Sequence, residues 1–136
     1  MNNDCIFCKI VHRKIPADII FENKDFLVFK DLYPKATTHL LIIPKQHIDS
    51  LSHLQDDHKN LAAEMLFLLP AIAKDVGLTG FRTVINTGAA GGQEIDHLHF
   101  HLQMNFHSLL ASKQDRRCCQ QRVMILHHQL FWNDRD

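Results

Sequence analysis

Residues 97–102 read His-Leu-His-Phe-His-Leu, three histidines alternating with three large apolar residues, and Gly91-Gly92-Gln93-Glu94 stands just upstream. In an extended chain successive side chains leave on opposite faces, so His97, His99 and His101 share one face and Leu98, Phe100 and Leu102 the other. A helix would scatter the three imidazoles around its circumference. The pattern predicts a strand whose apolar side enters a core and whose histidines border a cavity or solvent. At ~3.3 Å per residue the row covers roughly 13 Å, about the reach of one phosphate group with its ester oxygens.

Such a row admits two chemistries. A His-x-His pair with a third ligand builds an open zinc site that activates water. Alternatively, one neutral imidazole attacks phosphorus, a neighbour contacts the phosphoryl oxygens, and a third orients the pair. The upstream glycines would let backbone N–H groups approach the developing negative charge. The sequence holds no Asp/Glu cluster of the kind that binds Mg²⁺ for phosphoryl transfer, so no Mg²⁺ requirement is expected. The residues alone leave the metal and the nucleophile readings open. With eleven histidines in the chain, chance exposure is the bland alternative, and strict alternation with apolar partners argues against it.

A length of 136 residues predicts one domain. Fifteen basic residues balance fifteen acidic ones, which gives no footing for broad electrostatic binding to long nucleic acid or to a membrane surface. The N-terminus lacks the basic and apolar regions of a signal peptide, and no apolar run is long enough to span a bilayer. Cys5-x-x-Cys8 and the vicinal Cys118-Cys119 form no disulfide framework, which fits a reducing, cytoplasmic setting. Cys5 and Cys8 are half a zinc site by spacing, completed only if two more ligands converge, with His47 and His97 the candidates.

Cys5 to His12 predicts a short helix. Ile19–Phe21 and Phe26–Phe29 read as a hairpin across Glu22–Asp25, and His39–Ile43 as a third strand stopped by Pro44. From about Asp56 the period changes: Leu61, Met65, Leu68, Ile72 and Val76 mark a core-facing helix with a kink at Pro70 and a cap at Gly77. Phe81 to Thr87 predicts a fourth strand and the histidine row a fifth. The sum is an α+β domain. By residue type alone Asp31 is a turn aspartate, and His39, at the head of a strand, is as readily a partly buried histidine as a functional one.

These features together resemble the histidine triad (HIT) family, in its branch of small nucleoside phosphoramidases. The matching stretches are Cys5-Ile-Phe-Cys8-Lys-Ile10, Ile15-Pro16-Ala17, Thr38-His39-Leu-Leu-Ile-Ile-Pro44-Lys45-Gln46-His47-Ile48, and Asn86-Thr87-Gly88 through Gly91-Gly92-Gln93-Glu94 to His101. They run in order over about residues 5–102. The resemblance implies a HIT-like fold, a five-stranded antiparallel sheet with a short N-terminal helix and one long helix, dimerising into a continuous sheet. It implies binding of a purine nucleoside monophosphate and hydrolysis of its phosphoramidates. His99 would be the nucleophile, His101 the phosphate contact, and His39 and His97 the orienting relay. Asp31 becomes the ribose ligand, Ile6, Phe7, Ile10 and Leu32 the base pocket, and Asn86, Gly92, Gln93 and Glu94 the remaining substrate contacts. A structural zinc would sit on Cys5, Cys8, His47 and His97. Relatives continue past the triad with a glycine-rich turn, whereas this chain has Gln103-Met104-Asn105-Phe106-His107. Residues 1–102 are therefore expected to form the HIT domain and 103–136 an atypical C-terminal extension. Two rival readings follow, a nucleotide-binding regulatory or scaffold protein with weakened catalysis, and a zinc hydrolase with metal on the triad itself.

Overall fold

A computed structural model of the chain describes residues 4–105. Five strands form one sheet: β1 (Ile19–Glu22), β2 (Phe26–Lys30), β3 (Thr38–Pro44), β4 (Arg82–Val84) and β5 (Phe100–Met104). Their order is β1-β2-β3-β5-β4 and every neighbouring pair is antiparallel. Helix α1 (Ile6–Val11) precedes the sheet, and helix α2 (Lys59–Asp75) joins β3 to β4. This is the α+β architecture that the sequence predicts.

The sheet is covered on both sides, which explains why β3 reads Leu40-Leu41-Ile42-Ile43 rather than alternating. Leu40 and Ile42 join Phe26, Val28, Phe100 and Leu102 against Met65, Leu69 and Ile72 of α2. Leu41 and Ile43 join Leu27 and Phe29 against Phe7, Cys8 and Ile10 of α1. Because side chains alternate along a strand, His39 and His101 fall on the α1 side. Register places Leu41 opposite His101 and His39 opposite Gln103. The histidine edge therefore opens between α1 and the sheet.

Helix α2 departs from its expected face. Met65 and Ile72 are buried as predicted, but Leu69 and Ala73 complete the stripe, Leu61 and Leu68 are only partly buried, and Val76 is exposed at the cap. Positions 65, 69, 72 and 73 are the i, i+4, i+7, i+8 series of a single helix face. Asp56 and Asp57 lie in a separate 3₁₀ turn before the helix. The helix runs unbroken through Pro70. The carbonyl left without its donor belongs to Leu66, on the exposed side where water can take the place of the missing N–H. At the far end Gly77 adopts φ +77°, while Gly77 N–H donates to Lys74 O and Leu78 N–H to Ala73 O, closing a Schellman motif.

Two strand expectations need correction. β4 covers only Arg82–Val84, shorter than 81–87, because the residues that would extend its ladder are committed elsewhere: Leu98 N–H donates to Ile48 O at 2.6 Å. For the same reason β5 begins at Phe100, so His97 and His99 precede the strand rather than lie in it. Alternation nonetheless holds, with Leu98, Phe100 and Leu102 all in the core. β5 also takes in Gln103 and Met104. The remaining expectations for the C-terminal extension, including Cys118-Cys119, lie outside the described residues. No helix among the described residues is long and apolar enough to cross a membrane.

Candidate active site

A cavity of about 340 Å³ lies on the α1 side of the sheet. Ile6, Phe7 and Ile10 of α1 form one wall, with Leu32 at the rim; Asp31, His39, His99, His101, Asn86, Gly92 and Glu94 supply its polar lining. The Phe7 ring stands edge-on to those of Phe29, His97 and His99, centroids 5.6, 5.8 and 5.2 Å away, so one aromatic side chain seals the cavity floor against the nearby thiols. Gly92 reaches the cavity at φ +80° with open space where a Cβ would stand, so its backbone conformation is what requires glycine there.

Backbone partners set which ring nitrogen of His39 accepts and which of His99 donates. The Lys35 N–H can only donate, so His39 Nδ1 is its acceptor at 3.0 Å and the His39 proton sits on Nε2. That Nε2–H meets His101 Nδ1 at 2.8 Å, which puts the His101 proton on its own Nε2. The carbonyl of His97 can only accept, so His99 donates from Nδ1 at 2.6 Å and keeps a lone pair on Nε2. The cavity thus holds a ring nitrogen with a free lone pair beside a ring N–H donor, the two rings 4.9 Å apart. Burial, together with the neighbouring histidines, pushes the His101 pKa down to about 4. Burial also lowers that of His39, partly opposed by Asp31, whose carboxylate lies 3.3 Å from His39 Nε2. Both rings are neutral at physiological pH.

Asp31, His39 and His101 lie close enough to one another to suggest a metal site. The 2.8 Å separation between His39 Nε2 and His101 Nδ1 is instead that of a hydrogen bond. Two nitrogens bound to one tetrahedral ion at ~2.0 Å would stand about 3.3 Å apart. A relay therefore describes the His39–His101 pair better than a shared metal does.

The second cluster differs. Cys5, Cys8, His47 and His97 could hold a metal ion. Cys5 Sγ lies 3.4 Å from His97 Nδ1, and Cys8 Sγ lies 3.3 Å from His47 Nδ1 and 3.7 Å from His97 Nδ1. These match the sulfur–nitrogen edges, about 3.5 Å, of a tetrahedron with sulfur at ~2.3 Å and nitrogen at ~2.0 Å from its centre. His97 Nε2–H donates to Pro44 O at 2.8 Å and His47 Nε2–H to Asp49 Oδ1 at 2.7 Å. Each bond turns an Nδ1 lone pair toward the thiols, which is the outer-shell support that metal-binding histidines carry.

Most sequence-predicted site residues converge in these two places; His97 takes its expected place among the thiols but not the expected ring relay to His99, and Gln93 takes another position. The His97 ring, 0% exposed, belongs to the thiol cluster and reaches the cavity only through its carbonyl. Gln93 does not line the cavity. Its Oε1 accepts from Gly88 N–H, and its Nε2 donates to Asp49 O and Ile95 O, which ties the glycine loop together. Sequence reasoning missed Lys35, Arg82 and Gln103, which also line the cavity. Arg82 and Gln103 are a cross-strand pair joined at 2.6 Å. Their approach is set by strand register, which single-sequence spacing does not carry.

An antiparallel sheet that turns a row of imidazoles toward a helix-walled cavity defines a histidine-triad protein. A family model described as "Scavenger mRNA decapping enzyme C-term binding" matches residues 4–117. The chain is 50% identical over 101 residues to Protein HitA of Neisseria gonorrhoeae, covering 74% of this chain and 94% of HitA. It is similar in structure to a HIT family hydrolase from Legionella pneumophila Philadelphia 1, with TM-score 0.72 and 45% identity over 74% of this chain and 92% of that one. A histidine triad protein from Clostridium difficile matches with TM-score 0.73 and 41% identity, covering 76% of this chain and 91% of the other. The chain belongs to the HIT family.

Proposed function

We propose that the protein is a nucleotide-binding hydrolase that cleaves purine nucleoside 5′-phosphoramidates through a nucleotidyl-histidine intermediate on His99. One observation carries the reading: His99 Nδ1 is tied to a carbonyl, which turns Nε2 toward the cavity as the nucleophile next to the Nε2–H of His101. In the first step His99 Nε2 attacks the α-phosphorus and the P–N bond breaks. Its electron pair leaves with the amine, which takes up a proton from solvent, and the water of the second step returns one. His101 donates from Nε2 to a phosphoryl oxygen, oriented by His39, and so stabilises charge that grows in the transition state. In the second step water attacks phosphorus, the P–Nε2 bond breaks, and the nucleoside monophosphate leaves.

Asp31 accepts the ribose hydroxyls, Ile6, Phe7, Ile10 and Leu32 receive the purine, and Asn86, Gly92 and Glu94 flank the phosphate end. Zinc is the ion that two thiolates and two imidazoles suit, held by Cys5, Cys8, His47 and His97 as a scaffold away from the reacting atoms. Reduced Cys5 and Cys8 fit a cytoplasmic setting. A second copy of the chain is the protein partner, since α2 leaves Leu66 and Phe67 exposed and, among the described residues, the short strand β4 is an edge of the sheet.

The test is hydrolysis of a fluorogenic adenosine phosphoramidate by wild type and His99→Ala, with mass spectrometry for an AMP adduct. Turnover and an adduct in wild type, both absent in the variant, are expected. AMP binding without turnover in wild type would leave a nucleotide-binding protein instead.

A further inference from the structure

Lys35 and Arg82 reach the same cavity from different elements, Lys35 from the β2–β3 loop and Arg82 from the start of β4. Arg13, Lys30, Lys45 and Lys59 each pair with a carboxylate; Lys35 and Arg82, like Lys9, Lys14, Lys24 and Lys74, are in no ion pair among the described residues, but they alone of these line the cavity. Arg82 is instead anchored by a neutral group, the Oε1 of Gln103, which is only 7% exposed. That bond orients the guanidinium without neutralising it and leaves further N–H donors for a ligand. Both positive charges bear on His39, and that of Lys35 on His101 as well. Two carboxylates also line the cavity: Asp31, engaged by Tyr33 N–H and His39, and the exposed Glu94.

A nucleoside 5′-phosphoramidate, with one ester and one amide on phosphorus, carries a single negative charge there, and His101 already faces it. Arg82, oriented by a neutral amide, and Lys35, neither of them paired with Asp31 or Glu94, supply more positive charge than that phosphorus requires. Resting on the hydrolase reading above, we infer that Lys35 and Arg82 form a subsite for a second anionic group, a carboxylate or phosphate, on the same substrate.

The group can come from the leaving amine or from the ribose, and equilibrium binding to full-length His99→Ala protein separates the two. The probes are adenosine 5′-phosphoramidates of β-alanine and of propylamine, matched in length but for the carboxylate, and AMP against adenosine 3′,5′-bisphosphate. For exposed cations the expected gain is about fivefold in Kd for the anion-bearing member of one pair. Lys35→Gln and Arg82→Gln should each reduce that gain and move the Kd of the neutral member less. A gain in the first pair assigns the anion to the leaving group, and in the second to the ribose. No gain in either pair, or a gain that survives both substitutions, overturns the subsite. Wild-type turnover of the propylamine compound is measured in parallel. Discrimination without turnover sinks the hydrolase reading and keeps the anion subsite, and turnover without discrimination does the reverse.

Discussion

The carbonyl of His97 accepts the Nδ1 proton of His99 at 2.6 Å, while the His97 ring stands 3.4 Å from Cys5 Sγ. One residue thus ties the cavity's nucleophile to the thiol cluster. An ion on Cys5, Cys8, His47 and His97 would fix the backbone that holds His99, and would pin α1, whose Phe7 packs on both rings.

Zinc should therefore stabilise the fold. At a hundredfold excess over its Kd, an ion that binds only the native state adds about 2.7 kcal/mol, or roughly 10 °C in melting temperature for a domain of this size. Cys5→Ser should lose most of that zinc-dependent gain in a thermal melt, and AMP affinity should fall with it. An equal gain in the variant would rule out Cys5 as a ligand.

His39 acts on the reaction only through His101. His39→Phe removes the Nε2–H that sets the His101 tautomer and leaves His101 free to turn its lone pair to the phosphate. We expect kcat for a phosphoramidate to fall about a hundredfold, the low end of what a positioned proton donor contributes, with KM changed little. His39→Gln, whose amide can still donate toward Nδ1, should recover part of the loss. If the two variants are equally impaired, the hydrogen bond at 2.8 Å is not what His39 supplies.

The architecture was legible because its signals are local. Period-2 alternation at 97–102, the apolar run at 40–43 and the helical spacing of Met65 and Ile72 all report burial of neighbouring side chains. The role of His97 was only half legible. The Cys5-x-x-Cys8 spacing asks for it as a fourth ligand, and its ring does stand at the thiols. Alternation also puts that ring on the face shared with His99, but the chain departs from strand geometry before Phe100. Gln93 stands beside two glycines as a phosphate ligand would, yet its amide is spent on the Gly88, Asp49 and Ile95 backbone. Arg82 and Gln103 are 21 residues apart and meet only through the β4–β5 register. No periodicity announces such a pair.

Phe67 is 79% exposed and Leu66 54%, both on α2. If a second copy covers them, Phe67→Glu places a charge where two chains meet and should convert the dimer to monomer in light scattering. The variant's own fold should hold, because a surface substitution usually costs within about 0.5 kcal/mol. Wild type that is already monomeric, or a variant that stays dimeric, would put the partner surface elsewhere.

His97 and His101 both have their pKa pushed down to about 4, chiefly by burial, against an ordinary value of 6.5. Above 6.5 each ring is neutral whether folded or unfolded, and neither contributes a pH dependence. Between 6.5 and about 4 the unfolded chain binds protons that the folded chain refuses, so stability is lost as pH falls through that window. Metal-free protein should melt roughly 5 °C lower at pH 5 than at pH 7, a modest shift because solvent reaching the partly exposed His101 ring weakens its share. His101→Gln removes one of the two groups and should flatten the dependence, whereas Glu22, whose pKa is lowered by Lys45 and Arg13, is untouched by that change. A melting temperature equally pH-sensitive in the variant would show that carboxylates, not the buried histidine, govern acid unfolding.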